Sequence, residues 1–175
     1  YSQLIPGVRE SVNRLKTEFK LKIGVTTGFT RPMVDVLMES AAAQGFKPDC
    51  TVAGDEVEHG ARPAPFMVYK NLDKLNIHPI EAVVKVDDTV GGVGEGLEAG
   101  CWTVGVSRYS NYMDIDSLSH ENTLSEKEIE RRHTASKEIL KKTGAHYVID
   151  TIAELPYVVA DINNKLQQGK TPRDF

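Results

Sequence analysis

Apolar positions along this chain switch repeatedly between a helical repeat and short unbroken runs, which predicts alternating helices and strands. Val8, Val12, Leu15 and Phe19 recur at helical spacing after Pro6-Gly7 and predict a helix over 8–19. The run 21–26 is a short buried strand. Beyond Thr27-Gly28-Phe29-Thr30, a stripe of Val34, Leu37, Met38 and Ala41 predicts a helix over 31–44 that stops at Gly45. A weak strand follows at 51–53, and Pro63 and Pro65 open a helix through 75, where first-turn amides lack partners anyway. The remaining elements are a strand to Asp87, a glycine-interrupted helix around 94–99, a strand over 101–106 and a long polar loop over 107–123. Ser125 and Glu128 form a capping box for a helix to 143, 147–149 is an edge strand, and Thr151 and Glu154 cap a last helix to 167. A mobile tail over 168–175 is expected.

Strands separated by helices are the pattern of βαβ units, so the fold class is α/β, a Rossmann-like parallel sheet flanked by helices. At 175 residues and 40% hydrophobic, the chain is predicted to form one domain with one core. A net charge of -4 with no basic block excludes nucleic acid as an expected partner, and no apolar run reaches the length of a membrane span. Cys50 and Cys101 form no disulfide or metal-binding pattern, which points to core thiols and a cytoplasmic location. The chain opens on Tyr1 without a methionine, and removal of a preceding segment is expected.

Three segments carry candidate chemistry. Val83-Val84-Lys85-Val86-Asp87-Asp88 is a β-branched run that stops at two carboxylates, and Gly91, Gly92, Gly94 and Gly96 follow as a flexible loop. Such an acidic strand end suits Mg²⁺, which prefers carboxylate, phosphate and water oxygens. Thr26, Thr27 and Gly28 end another strand before a helix, where hydroxyls and amides suit phosphate. Arg62 opens a third element and offers a forked cation to phosphate oxygens. Singly, each has an ordinary structural role: strand-end hydroxyls, a surface ion pair, helix-entry acids. Together they supply the three functions that a phosphoryl site needs.

The order of these motifs resembles motifs two to four of the haloacid dehalogenase-like hydrolases. The wording is similar to the phosphonoacetaldehyde hydrolase family in Lys22-Ile23-Gly24 with Thr26–Arg31, Asp55-Glu56-Val57 with Arg62-Pro63, Lys85–Thr89 with Glu95-Gly96, Ala99–Gly105, and Gly144–Asp150. The resemblance implies a Mg²⁺-dependent hydrolase of a carbon–phosphorus bond, in which a cap-domain lysine forms a Schiff base and an aspartate takes the phosphoryl group. It assigns phosphate binding to Thr26, Thr27 and Gly28, the basic role to Arg62, and the metal to Asp88 with Asp87 beside it.

Departures from the family pattern bear on the substrate. The nucleophilic Asp-x-Asp strand and the cap with its lysine have no counterpart, since Asp114-Ile115-Asp116 falls in the long loop. Gly92 stands where many relatives carry a second acid, and an alanine precedes Arg62. In the family, the first strand lies between the motif-two and motif-four strands, so its absence leaves two apolar strand edges unpaired. The expectation is a core-domain portion that is completed by a further segment or pairs as a homodimer. Alternative readings are a phosphomonoesterase, a non-catalytic phosphate-binding module and, more weakly, a nucleotide-binding domain.

Overall fold

The computed structural model describes residues 3–60 and 62–175 of the chain. Helices and strands alternate as α1 (Val8–Thr17), β1 (Gly24–Thr27), α2 (Arg31–Ala43), β2 (Cys50–Ala53), α3 (Phe66–Leu75), β3 (Val84–Asp87), α4 (Val90–Ala99), β4 (Trp102–Val106), α5 (Leu118–Glu121), α6 (Glu126–Lys141), β5 (Tyr147–Ile149) and α7 (Leu155–Gln167). Every strand pair is parallel, as βαβ connections require.

Local sequence accounts for most of the boundaries. Ser125 caps α6 by accepting the Glu128 amide at 3.2 Å. Glu154 accepts the amides of Asp150 and Thr151 at 2.8 and 2.9 Å and turns the chain into α7. Gly100 ends α4 at φ 87°, a left-handed conformation that side chains disfavour. The polar stretch after β4 is more ordered than a plain loop, because Ser117 caps the single turn of α5 and Arg132 of α6 binds the carbonyls of Met113 and Asp114. The glycine stretch also differs from the sequence reading: α4 begins at Val90, so Gly91 and Gly92 are helical as well, ahead of the helix expected around 94–99.

Leu15 of α1, Trp102 and Val104 of β4, Ile149 of β5 and the α7 stripe Leu155, Val158, Val159 and Ile162 form the main core. Burial of each such side chain stabilises by about 1.5–3 kcal/mol. Val68, Ala99 and Cys101 form a smaller cluster between α3 and α4. The last residues also make defined contacts. Phe175 lies 5.7 Å from the Trp102 ring, Pro172 is buried, and its carbonyl is 2.8 Å from His146 Nε2.

The strands form two sheets, β1-β2 and β3-β4-β5. Among the described residues, β1 therefore has a backbone ladder only toward β2, and β3 only toward β4. The carbonyl of Val25 in β1 accepts from the side chain of Asn71 at 3.0 Å. Each half of the sheet thus presents a free edge, and the carboxyl ends of β1 and β3 are bridged by one side chain, that of Arg62.

Candidate functional site

Side chains two apart on a strand share a face, so β3 presents Lys85 and Asp87 together toward α4. The helix lies close against them because it has no side chains there. A Cβ at Gly96 would fall 2.7 Å from the Lys85 side chain, and one at Gly92 would fall 1.9 Å from Asp87 Cγ. Lys85 Nζ binds Asp87 Oδ2 at 2.7 Å, and Glu95 of α4, fully buried, lies 3.7 Å from the same ammonium.

Arg62 completes this cluster. Its Nε donates to Glu95 at 3.3 Å, and one terminal nitrogen donates to both the carbonyl and the hydroxyl oxygen of Thr26 at 3.0 Å. The same nitrogen is 3.3 Å from Asp87 Oδ2. Two cations and two carboxylates thereby balance. Among the described residues, Arg62 Nη1 has no hydrogen bond and is the donor open to an anion. Thr27 Oγ accepts the Phe29 amide at 3.2 Å, and Gly28 has open space beside its Cα. The amino end of α2 offers less than its position suggests, because the Arg31 amide binds Asp55 at 2.9 Å and Pro32 has no N–H.

Asp87 and Asp88 are adjacent but differ electrostatically. Burial works to raise the Asp87 carboxyl, but Lys85, Arg62 and the Thr89 hydrogen bonds outweigh it and hold it below the usual range. Asp88 is pushed up by burial and by the charge of Asp87, and among the described residues no cation pairs with it. It is a carboxylate beyond the balanced cluster, and its environment fits a bound cation. No group of three or more His, Cys, Asp or Glu side chains suited to a metal occurs among the described residues, so Asp88 offers one carboxylate rather than a complete cage.

A testable consequence follows for Asp88. Its folded pKa is raised, so its ionised form destabilises the native state above that value and has no effect below the unfolded value. Asp88→Asn is expected to raise stability at neutral pH, a gain that vanishes below about pH 4, the range of the unfolded carboxyl. Urea unfolding of both proteins at pH 7 and pH 3.5 measures this.

Thr26, Arg62 and Asp87 are thus brought into contact, with Asp88 next along the chain and Thr27 and Gly28 continuing from Thr26. Lys85 and Glu95 were not anticipated. The available signal was a charged residue within an otherwise apolar strand, and another amid glycines, where burial demands partners. Two surface depressions lie elsewhere, one lined by Asp35, Met38 and Phe46 and the other by Glu98, His146 and Phe175.

Parallel strands with hydroxyls, a forked cation and acids gathered at their carboxyl ends make this an α/β core with its polar groups along one edge. The model of the haloacid dehalogenase-like hydrolases matches residues 1–106, and the chain belongs to that family. The chain is 39% identical over 172 residues to a phosphonoacetaldehyde hydrolase of Aeromonas hydrophila and 40% identical to one of Klebsiella pneumoniae. These alignments cover 98% of this chain but 61% and 63% of those proteins, so the chain spans about three fifths of their length. The crystal structure of a phosphonoacetaldehyde hydrolase-like protein from Oleispira antarctica superposes with a TM-score of 0.91 at 37% identity, over 98% of this chain and 61% of that one. No helix among the described residues is long and apolar enough to cross a membrane.

Proposed function

We propose that this chain is the phosphate-handling portion of a hydrolase that cleaves the carbon–phosphorus bond of phosphonoacetaldehyde, yielding acetaldehyde and phosphate. The observation that carries this reading is Arg62, held by Thr26, Asp87 and Glu95 with one terminal nitrogen left to an anion. The similarity to phosphonoacetaldehyde hydrolases supports the substrate.

In this reading Arg62, Thr26, Thr27 and Gly28 bind and orient the phosphoryl oxygens, and Asp88 holds Mg²⁺. The metal, when bound, neutralises phosphoryl charge. Asp87 is committed to Lys85, Arg62 and Thr89 and acts through them. Lys85 Nζ is taken up by Asp87 at 2.7 Å and faces Glu95 at 3.7 Å, which leaves it unsuited to imine formation. The phosphoryl acceptor and the imine-forming lysine belong, in this proposal, to a segment outside these residues.

The test is acetaldehyde release by the full gene product, coupled to a dehydrogenase. Turnover is expected to stop with a chelator and to return with Mg²⁺. Arg62→Ala is expected to lower kcat/KM by at least 30-fold, since removing one partner of a buried charge pair costs about 2–5 kcal/mol. Hydrolysis of p-nitrophenyl phosphate without acetaldehyde release would replace this reading with a phosphomonoesterase. Phosphate binding without turnover of either compound would replace it with a binding module.

A further inference from the structure

The polar segment between β4 and α5 contributes nothing to the cluster around Arg62, yet three of its consecutive residues reach the turn that carries Asp88. Ser110 donates its hydroxyl to the Asp88 carbonyl at 2.7 Å. The phenolic oxygen of Tyr112 accepts the Val90 amide at 2.8 Å. Between these two, the backbone amide of Asn111 acts on the Asp88 carboxyl itself. Burial and the charge of Asp87 push that carboxyl up, and the amides of Asp88 and Asn111 work against them.

Asp88 and Thr89 lie in the connection between the end of β3 at Asp87 and the start of α4 at Val90, beyond the strand ladder and ahead of the first helical turn. A ligand carried on such a connection is aimed by whatever fixes its backbone. Val90 heads α4, and its amide is one of the first four that lack an acceptor within the helix. Thr89 supplies an acceptor for the Gly92 amide from inside the turn, whereas Tyr112 supplies the one for Val90 from 22 residues further along the chain.

The segment that reaches over is itself anchored. Ser110 is 2% exposed and Met113 is fully buried. The Ser110 carbonyl accepts the Met113 amide at 3.0 Å, and its hydroxyl oxygen accepts the Tyr112 amide at 3.3 Å, which closes a tight turn. Arg132 of α6 holds the far side through the carbonyls of Met113 and Asp114 at 3.1 and 2.6 Å.

We propose that Ser110 and Tyr112 form a clamp that aims the Asp88 carboxylate at a divalent cation, with Tyr112 as its positioning residue. The proposal rests on the reading of Asp88 as the metal ligand, and neither clamp side chain touches the cation in it. Ser110 fixes the carbonyl of Asp88 and Tyr112 fixes the amide two residues on, so the carboxylate is carried on a turn held at both ends. Tyr112 separates this role from a structural one. Phenylalanine keeps the ring and removes only the acceptor, and Val90 is 46% exposed, so water can take over its amide. Losing the bond therefore loosens the turn at little cost to folding.

Mn²⁺ binding by the full gene product, read from the free-ion electron paramagnetic resonance signal, tests the clamp together with the thermal midpoint without metal. Tyr112→Phe is expected to weaken Mn²⁺ binding by about 10-fold or more, the usual effect of removing a group that orients a metal ligand, with the midpoint unchanged. Ser110→Ala is expected to weaken binding and also to lower the midpoint, since Ser110 is buried. Tyr109→Phe, in a ring that lies against Arg108, is expected to change neither. Unchanged Mn²⁺ affinity in Tyr112→Phe, with binding lost in Asp88→Asn, would overturn the clamp and leave Asp88 as the ligand. Full affinity in Asp88→Asn, or a parent that binds no Mn²⁺, would overturn the metal reading of Asp88 and the clamp's purpose with it. A measurement on the parent decides the case in which Tyr112→Phe does not fold. A clamp that favours the metal is favoured by it in return, so saturating Mg²⁺ is expected to slow hydrogen exchange of the Val90 amide, and unchanged exchange there would overturn the proposal.

Discussion

Asp87→Asn is expected to destabilise the protein by about 3–5 kcal/mol at neutral pH, because it leaves the Lys85 ammonium and the Arg62 guanidinium beside a neutral amide in a buried setting. Lys85 and Asp87 side chains are only 10% and 8% exposed, so water replaces little of the lost partner. For a chain of this size the loss corresponds to roughly 6–20 °C in thermal midpoint. The sign of the pH dependence follows from the depressed carboxyl. A group whose pKa is lowered by folding contributes stability above its unfolded value and loses it as pH falls through the folded value. The gap between parent and variant is therefore expected to be constant from pH 7 to about 5 and to close below about 4. Asp88→Asn, one residue on, has the opposite sign over the same range. Thermal unfolding of the two variants across pH 3–7 checks both, and like signs would show that the two acids share one environment.

The second large effect concerns the divided sheet. A strand laid parallel between β1 and β3 is expected to bind and to stabilise the chain, because each edge carries peptide groups without a ladder partner. Added in trans at 100 times its dissociation constant, such a segment stabilises by about 2.7 kcal/mol. That is roughly 5–11 °C for a chain of this size. Amide hydrogen exchange gives the sharper readout: protection should rise in Gly24–Thr27 and Val84–Asp87 together. Protection of only one of them, or of neither, would show that the edges do not form a common slot.

Much of this architecture was legible from the sequence because the signals were local. Ser125 with Glu128, and Thr151 with Glu154, mark helix starts through hydrogen bonds made within four residues. The apolar run before Asp87 reads as a strand because β-branched residues suit a pleated, buried surface. The glycine stretch misled for a physical reason. Glycines are ordinarily helix breakers, but here two of them, Gly92 and Gly96, face the charged side chains of β3 and let the helix approach. That advantage is tertiary and invisible to a local reading. The same limit hid Lys85 and Glu95, whose positions make sense only once strand and helix are packed and their charges find Asp87 and Arg62. The α2 amino end illustrates the reverse error. Its position suggested spare donors for an anion, but Asp55, distant in sequence, takes the Arg31 amide.

The chain has a single tryptophan, and its placement makes the two halves of the sheet optically unequal. Trp102 is fully buried in β4, its indole N–H bonded to the Glu81 carbonyl at 3.0 Å and its ring flanked by His146 and Phe175. All of these contacts belong to the three-stranded side. Intrinsic emission excited at the indole therefore reports the melting of β3-β4-β5 and the release of the C-terminal residues, while β1-β2 is silent to it. A far-ultraviolet signal that drops before the emission shifts would mark independent loss of the two-stranded half, and the hydrogen bonds between Thr26 and Arg62 would be broken in a protein whose fluorescence still looked native.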